Sequence, residues 1–347
     1  MRRVVVYPDR IAVEAADVPA PGPNEALIRA LVAGVCGSDL HAAHGRHPFV
    51  PLPYRPGHEV VGVIEAVGPA AGTWVPGQRV IVEPDLPCWT CKMCTTGREN
   101  LCENLQFFGC GYAQGGMADY FTVAANRLHP VPDVLDDQAA ALIEPLSTPV
   151  HAVRLAGDVA GRSVAVLGAG TIGLLTLAVL RAHGAGTVVS TDPNLAKRRR
   201  AAALGADATI DARAPDVTRQ VREALGGSAD IVFDCVSVQS SLDQAIAIAD
   251  KGGTVMVVGV PAREVTVPLP IVQDHQIRIQ GSATYLPPDY AESADLLSRG
   301  AVKAADFVTA IRALAQVAEA FALASSGQHV KVLVGVDSPE RLTDVHL

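Results

Sequence analysis

With 347 residues the chain is long enough for two domains, because single hydrophobic cores stop growing well before that size. A formal charge of −8, with 49% apolar and 4% aromatic residues, gives no field that would attract nucleic acid or an anionic membrane. No stretch approaches the length of a membrane span, and the apolar run after Arg2 and Arg3 is too short for a signal-peptide core, so a soluble, cytoplasmic protein with reduced thiols is expected.

In chain order, the first 150 residues are rich in Val, Gly and Pro. Short alternating segments such as "VVGVIEAVG" and "QRVIVEP" lie between turn residues, the pattern of an antiparallel β domain. Within it, "PCWTCKMCTTGRENLC" sets Cys88, Cys91, Cys94 and Cys102 at C-x2-C-x2-C-x7-C spacing. One small loop can wrap four such thiolates around a tetrahedral Zn²⁺, and a closed sphere of four thiolates leaves no position for water or substrate. The metal there is expected to fold the loop and to do no chemistry. An iron–sulfur cluster is the rival that spacing leaves open. Disulfides are disfavoured in a reducing compartment, and a nucleic-acid-reading lobe is disfavoured because Glu99 and Glu103 offset Lys92 and Arg98.

From about residue 160 the texture changes. Strand-like "SVAVLG", helix-like "TIGLLTLAVLRAHGA", strand-like "TVVSTD" and helix-like "LAKRRRAAALGA" are followed by strands "ADIVFDCV", "GTVMVVGV" and "IRIQGSA". Near-continuous Val/Ile strands alternating with helices predict an α/β domain with a parallel sheet covered on both faces. "VLGAGTIG" places Gly168, Gly170 and Gly173 in G-x-G-x-x-G spacing between a strand and a helix, with Thr171 and Ile172 in the same turn. This is the dinucleotide fingerprint: a tight turn, close backbone approach to a pyrophosphate, and close packing of helix on strand. Asp192 ends the next strand at the spacing of the acid that hydrogen-bonds a ribose diol. Its charge would repel a 2′-phosphate, which favours NAD over NADP. Lys197 can reach the adenosine ribose, although the basic run 197–200 also reads as a solvated helix face. The bland alternative is a glycine turn followed by a helix-capping aspartate. After about 285 helix and strand return, ending in "HVKVLVGV", and periodicity alone assigns this tail to neither domain.

Four further residues, Cys36, His58, Glu59 and Glu144, stand in "GVCGSDLH", "PGHEVVG" and "LIEPLS". Singly, each also reads as a buried thiol, a core imidazole or a surface carboxylate. Together with the cysteine loop and "VLGAGTIGLL", these motifs resemble the zinc-dependent medium-chain alcohol dehydrogenases, and "EPLS" resembles their polyol (sorbitol) and butanediol branch. The resemblance covers nearly the whole chain in order. It implies a GroES-like catalytic domain over 1–150 and 286–347, with a structural zinc lobe at about 87–103, split around a Rossmann NAD-binding domain over 151–285. It also implies a catalytic zinc on Cys36, His58 and either Glu59 or Glu144, hence two Zn²⁺ per chain. The implied reaction is oxidation of a secondary alcohol to a ketone with hydride transfer to NAD, in a dimer or tetramer. Ser38 and His41 take the place of a proton relay through the nicotinamide ribose, and a hydroxyl followed by an imidazole suits that task; the bland alternative is a capping serine and a surface histidine. Asp39 is expected to orient a ligand, and Cys110 and Cys235 to be packing thiols.

The resemblance breaks at Thr284, where sorbitol-type enzymes carry a polyol-touching arginine, and at Ala42, where they carry a tyrosine. Sorbitol itself is therefore in doubt, while small diols, hydroxy-amino acids, cyclitols and other secondary alcohols stay open. A non-catalytic NAD-binding relative and a zinc-independent quinone or enone reductase are the competing readings. Intact Cys36, His58, Glu144 and Ser38 argue against the first, and the second would have no need of Cys36 and His58 together.

Overall fold

The computed structural model describes residues 1–336 except 46, 48 and 49. The chain forms two compact units, one of Met1–Pro145 with the segment from Leu286 on, the other of Leu146–Tyr285. Among the described residues no helix is long and apolar enough to cross a membrane.

The first unit is built on a seven-stranded sheet. Its spatial order is Val308–Ala313, Lys331–Gly335, Glu25–Val35, Glu59–Val67, Arg79–Val82 and Leu128–Pro130, with Tyr120–Ala124 also pairing with Glu25–Val35. All pairings are antiparallel except that of Val308–Ala313 with Lys331–Gly335. The tail that periodicity could not place therefore returns to the first unit, beside Glu25–Val35. Ile28, Ile64, Val80, Phe121 and Val334 fill one core around the sheet, and removing their apolar surface from water is the main term holding it.

A two-residue ribbon, Asp85–Leu86 against Gln106–Phe107, closes the neck of the cysteine loop. Behind it lies a buried polar cluster in which the Glu83 carboxylate accepts from Arg127 and, at 2.6 Å, from His129. The Arg127 guanidinium stands 5.6 Å over the ring of Trp89 in the loop, a cation–π contact that ties the lobe to the sheet.

The second unit holds a six-stranded, all-parallel sheet in the order Ala208–Ile210, Val188–Thr191, Val164–Leu167, Ala229–Asp234, Ala249–Val257, Arg278–Gly281. Numbered along the chain this is 3-2-1-4-5-6, the doubly wound order whose switch point lies beside the first strand. Every residue of Val164–Leu167 is buried, which accounts for the unbroken apolar run seen in the sequence.

Candidate active site and metal centres

In the cysteine loop all four sulfurs of Cys88, Cys91, Cys94 and Cys102 lie within 4.8 Å of one another. Cys91 Sγ is 3.5 Å from Cys94 Sγ and 3.9 Å from Cys102 Sγ. A tetrahedral ion with metal–sulfur bonds of about 2.3 Å separates its sulfurs by roughly 3.8 Å, so the loop is shaped for one ion. A multi-iron cluster would spread its thiolates further around its inorganic core. The backbone N–H groups of Cys88 and Asn104 donate to Cys102 Sγ at 3.2 and 3.3 Å. Hydrogen bonds from Thr90 hold Cys88 down at about 5, while burial beside its sister sulfurs pushes Cys94 up to about 12. A cation would relieve that crowding of negative sulfur.

A second constellation forms where "GVCGSDLH" turns from strand into helix. Cys36 ends the strand and caps the helix Gly37–Ala43, and the Asp39 side chain reaches back to accept from Cys36 N at 3.0 Å. That capping box fixes the thiol's position. Glu59 opens the strand Glu59–Val67 with His58 just before it, and the ligand atoms of Cys36, His58 and Glu59 lie within 4.8 Å of one another. Ser38 Oγ is 3.4 Å from His58 Nε2, and His58 Nδ1 faces Asp39 Oδ1 at 3.9 Å. Burial opposes a charge on His58, yet Asp39, Cys36 and Glu144 together raise its pKa well above the ordinary value. Tyr54 donates from its hydroxyl to both Asp39 O and Asp39 Oδ1 at 3.2 Å, holding the carboxylate still. Phe107 meets the His58 ring edge-on at 5.6 Å between centroids. His41, exposed, lies three residues after Ser38 on the same helix, the spacing of neighbours on one face.

The two glutamates differ in surroundings. Glu144 is buried near the start of the helix Ile143–Ala156, and its charge acts on His58, Cys110 and Lys331. Glu59, fully buried, receives the Lys331 ammonium at 2.5 and 2.7 Å. Lys331 also donates to Val35 O at 3.3 Å. Burial works against its ammonium, but Glu59, Cys36 and Glu144 raise its pKa.

The pair reaches across the strand Glu25–Val35, whose two neighbours carry the partners: Gly34 is opposite Glu59 on one side and Leu333 on the other. Only a glycine admits it, since a Cβ at position 34 would lie 1.8 Å from Glu59 Oε2. Sequence reasoning missed Lys331. Its signal is a single cation inside the otherwise apolar strand "KVLVG".

In the second unit, Gly168 follows the strand Val164–Leu167, and Gly170 caps the helix Thr171–Ala182, which holds Thr171, Ile172 and Gly173 in its first turn. A Cβ on Gly173 would strike Gly168 O at 1.8 Å, so the close packing of helix on turn requires glycine there. Asp192, buried just after Val188–Thr191, accepts from Ala169 N at 2.9 Å and Asn194 N at 2.7 Å. The cap of the next helix is Asn194, not Asp192. Each carboxylate oxygen of Asp192 keeps a lone pair for a further donor. Lys197 lies in the first turn of the helix Leu195–Ala203.

Outside these clusters, burial pushes both Cys110 and Cys235 up to about 12, leaving them neutral thiols. Thr284 has a left-handed φ of 43° and a buried hydroxyl with no hydrogen-bond partner among the described residues.

Comparison with known proteins places the chain in a family. Residues 22–133 match the alcohol dehydrogenase GroES-like domain, and residues 171–299 match the zinc-binding dehydrogenase family. The L-galactonate-5-dehydrogenase of Escherichia coli (strain K12) is 36% identical over 306 residues, spanning 88% of this chain and 89% of that protein. A sorbitol dehydrogenase of Bacillus subtilis (strain 168) is 32% identical over 342 residues, 96% of this chain and 97% of that one. A Sinorhizobium meliloti 1021 structure solved bound to NADP superposes with a TM-score of 0.90 at 33% identity, covering 96% of this chain and 99% of that one.

Proposed function

Because the chain belongs to the zinc-binding alcohol dehydrogenases with a GroES-like domain, in their polyol dehydrogenase branch, we propose that it oxidises a secondary alcohol to a ketone with NAD. The substrate class is a polyol, vicinal diol or sugar acid. The observation that carries the reading is the convergence of Cys36, His58 and Glu59 within 4.8 Å beside Ser38.

A thiolate, an imidazole and a carboxylate form a donor set suited to zinc with a position left open. Cys36, His58 and one of Glu59 or Glu144 would hold that ion, while Cys88, Cys91, Cys94 and Cys102 would hold a second, making two per chain. When bound, the open-site zinc supplies a Lewis acid and NAD the two-electron acceptor. The Asp39 carboxylate lies 3.9 Å from His58 Nδ1, beyond hydrogen-bond reach, and so acts on the ring through its charge. Lys331 neutralises Glu59, limiting the repulsion among Cys36, Glu59 and Glu144. Ser38 Oγ would accept the proton of the substrate hydroxyl while handing on its own, through the nicotinamide ribose, to exposed His41, which releases it to solvent.

NAD is assigned on Asp192, whose charge would repel the 2′-phosphate of NADP. The ribose end of the coenzyme would also engage Lys197. A homo-oligomer, dimer or tetramer, is supported by the sheet-edge strand Arg278–Gly281 and by the exposed Leu269 and Ile271 on the helix before it. The clustered reduced thiols support a cytoplasmic location.

The test is a panel of polyols, vicinal diols, sugar acids, threonine and simple secondary alcohols with NAD, run beside metal analysis. Two zinc ions per chain and activity on some member are expected, with activity abolished in Cys36→Ser and His58→Ala while coenzyme still binds. Activity that survives loss of both Cys36 and His58 refutes the reading.

A further inference from the structure

The first unit contains a cavity of about 150 Å³ that no step above uses. It lies between the hairpin formed by Arg2–Val6 and Ile11–Ala15 and the segment 51–55, and its lining includes Arg3, Tyr7, Glu14, Tyr54, Arg55 and Tyr112. Backbone hydrogen bonds fix its walls: Val6 N donates to Tyr54 O at 2.9 Å, Tyr54 N to Val6 O at 3.1 Å, and Val4 N to Met117 O at 2.9 Å. None of the lining residues belongs to the candidate metal clusters or to the dinucleotide turn.

Its chemistry is unbalanced. Arg3 and Arg55 each have a buried Nε–H with no hydrogen-bond acceptor among the described residues. Arg55 spends one Nη1 donor on Ala113 O. The carboxylate in the lining, Glu14, already accepts from the Tyr7 hydroxyl at 2.5 Å. Those Nε atoms are closed to a water-sized molecule, so a ligand in the cavity would meet the Nη edges of the two guanidinium groups that share its wall.

We propose that this cavity binds a small oxyanion, a phosphate or a carboxylate, through the guanidinium groups of Arg3 and Arg55. The planar fork of arginine matches the paired oxygens of either anion. At about 150 Å³ the cavity has room for inorganic phosphate or a short carboxylic acid. Two guanidinium charges against one carboxylate select against cations. Tyr54, on the wall, also donates to Asp39, so the bound anion sits two side chains from His58.

The experiment is calorimetric titration of the full chain with inorganic phosphate and, in a separate arm, with acetate. Saturable binding of at least one is expected, and which one binds identifies the anion. Arg3→Met and Arg55→Met should each weaken it about 10- to 100-fold, the loss of one charge-assisted contact. Glu14→Gln keeps an acceptor for Tyr7 but removes the opposing charge, so it should tighten binding about fivefold. A misfolded variant cannot produce that opposite sign. Absence of saturable binding of both anions overturns the proposal, as does unchanged affinity in both arginine variants or weaker binding in Glu14→Gln.

Discussion

Replacing Lys331 by Met tests the buried ion pair on which the candidate metal centre rests. Glu59 is fully buried and the Lys331 side chain is 3% exposed, so removing the ammonium leaves a buried carboxylate without its ion-pair partner. Breaking a buried pair from one side costs about 3–5 kcal/mol. At a urea slope of about 2 kcal/mol/M, the unfolding midpoint should fall by about 1.5–2.5 M. Both tryptophans, Trp74 and Trp89, lie in the unit that carries the pair, so intrinsic fluorescence follows the right transition. Lys331→Met combined with Glu59→Leu removes both charges and should recover most of the loss, because an apolar replacement of a whole buried pair is often neutral. A Lys331→Met midpoint within about 0.5 M of the parent, or a double variant no more stable than the single one, would refute the assignment.

Three other perturbations separate the remaining parts of the structure. Cys91→Ser should lower the zinc content by one ion per chain and destabilise the lobe, leaving Cys36, His58 and Glu59 untouched; full zinc and an unchanged Tm would sink the structural site. Asp192→Ala should narrow the preference for NAD over NADP, measured as the ratio of kcat/KM values, and a parent protein already faster with NADP contradicts the role given to that carboxylate. Burial and the neighbouring Arg127 push His129 down to about 4, so the folded state keeps a neutral ring that donates to Glu83 while the unfolded chain titrates near 6.5. The unfolded state then binds the extra proton between those values. Stability should fall by no more than about 3 kcal/mol as pH drops from 6.5 to 4, and His129→Gln should flatten that slope, which an unchanged pH profile would disprove.

What the sequence exposes and what it hides follows from the reach of each interaction. The dinucleotide turn was legible because its causes are local: a strand, three glycines and a helix within about ten residues dictate the backbone path, and the structure places Gly170 at the helix cap. The cysteine loop was legible for the same reason, since fifteen residues suffice to bring four sulfurs within 4.8 Å. The candidate catalytic cluster is different. Cys36 and His58 meet only because Glu25–Val35 and Glu59–Val67 pair in one register, and motif resemblance rather than periodicity pointed to them. Lys331 lies further beyond local reasoning, 272 residues from Glu59, and its role exists only because the tail returns to flank Glu25–Val35. Gly34 was equally silent, because its need for a bare Cα comes from a carboxylate on the next strand and not from its own turn. This also explains why the sequence left Glu59 and Glu144 as equal choices. Both are acids beside apolar runs, and what distinguishes them is the partner each finds after folding. A carboxylate held by a buried ammonium must give up part of that pair to approach a metal, so Lys331→Met weighs the two glutamates in a way that mutating either alone does not.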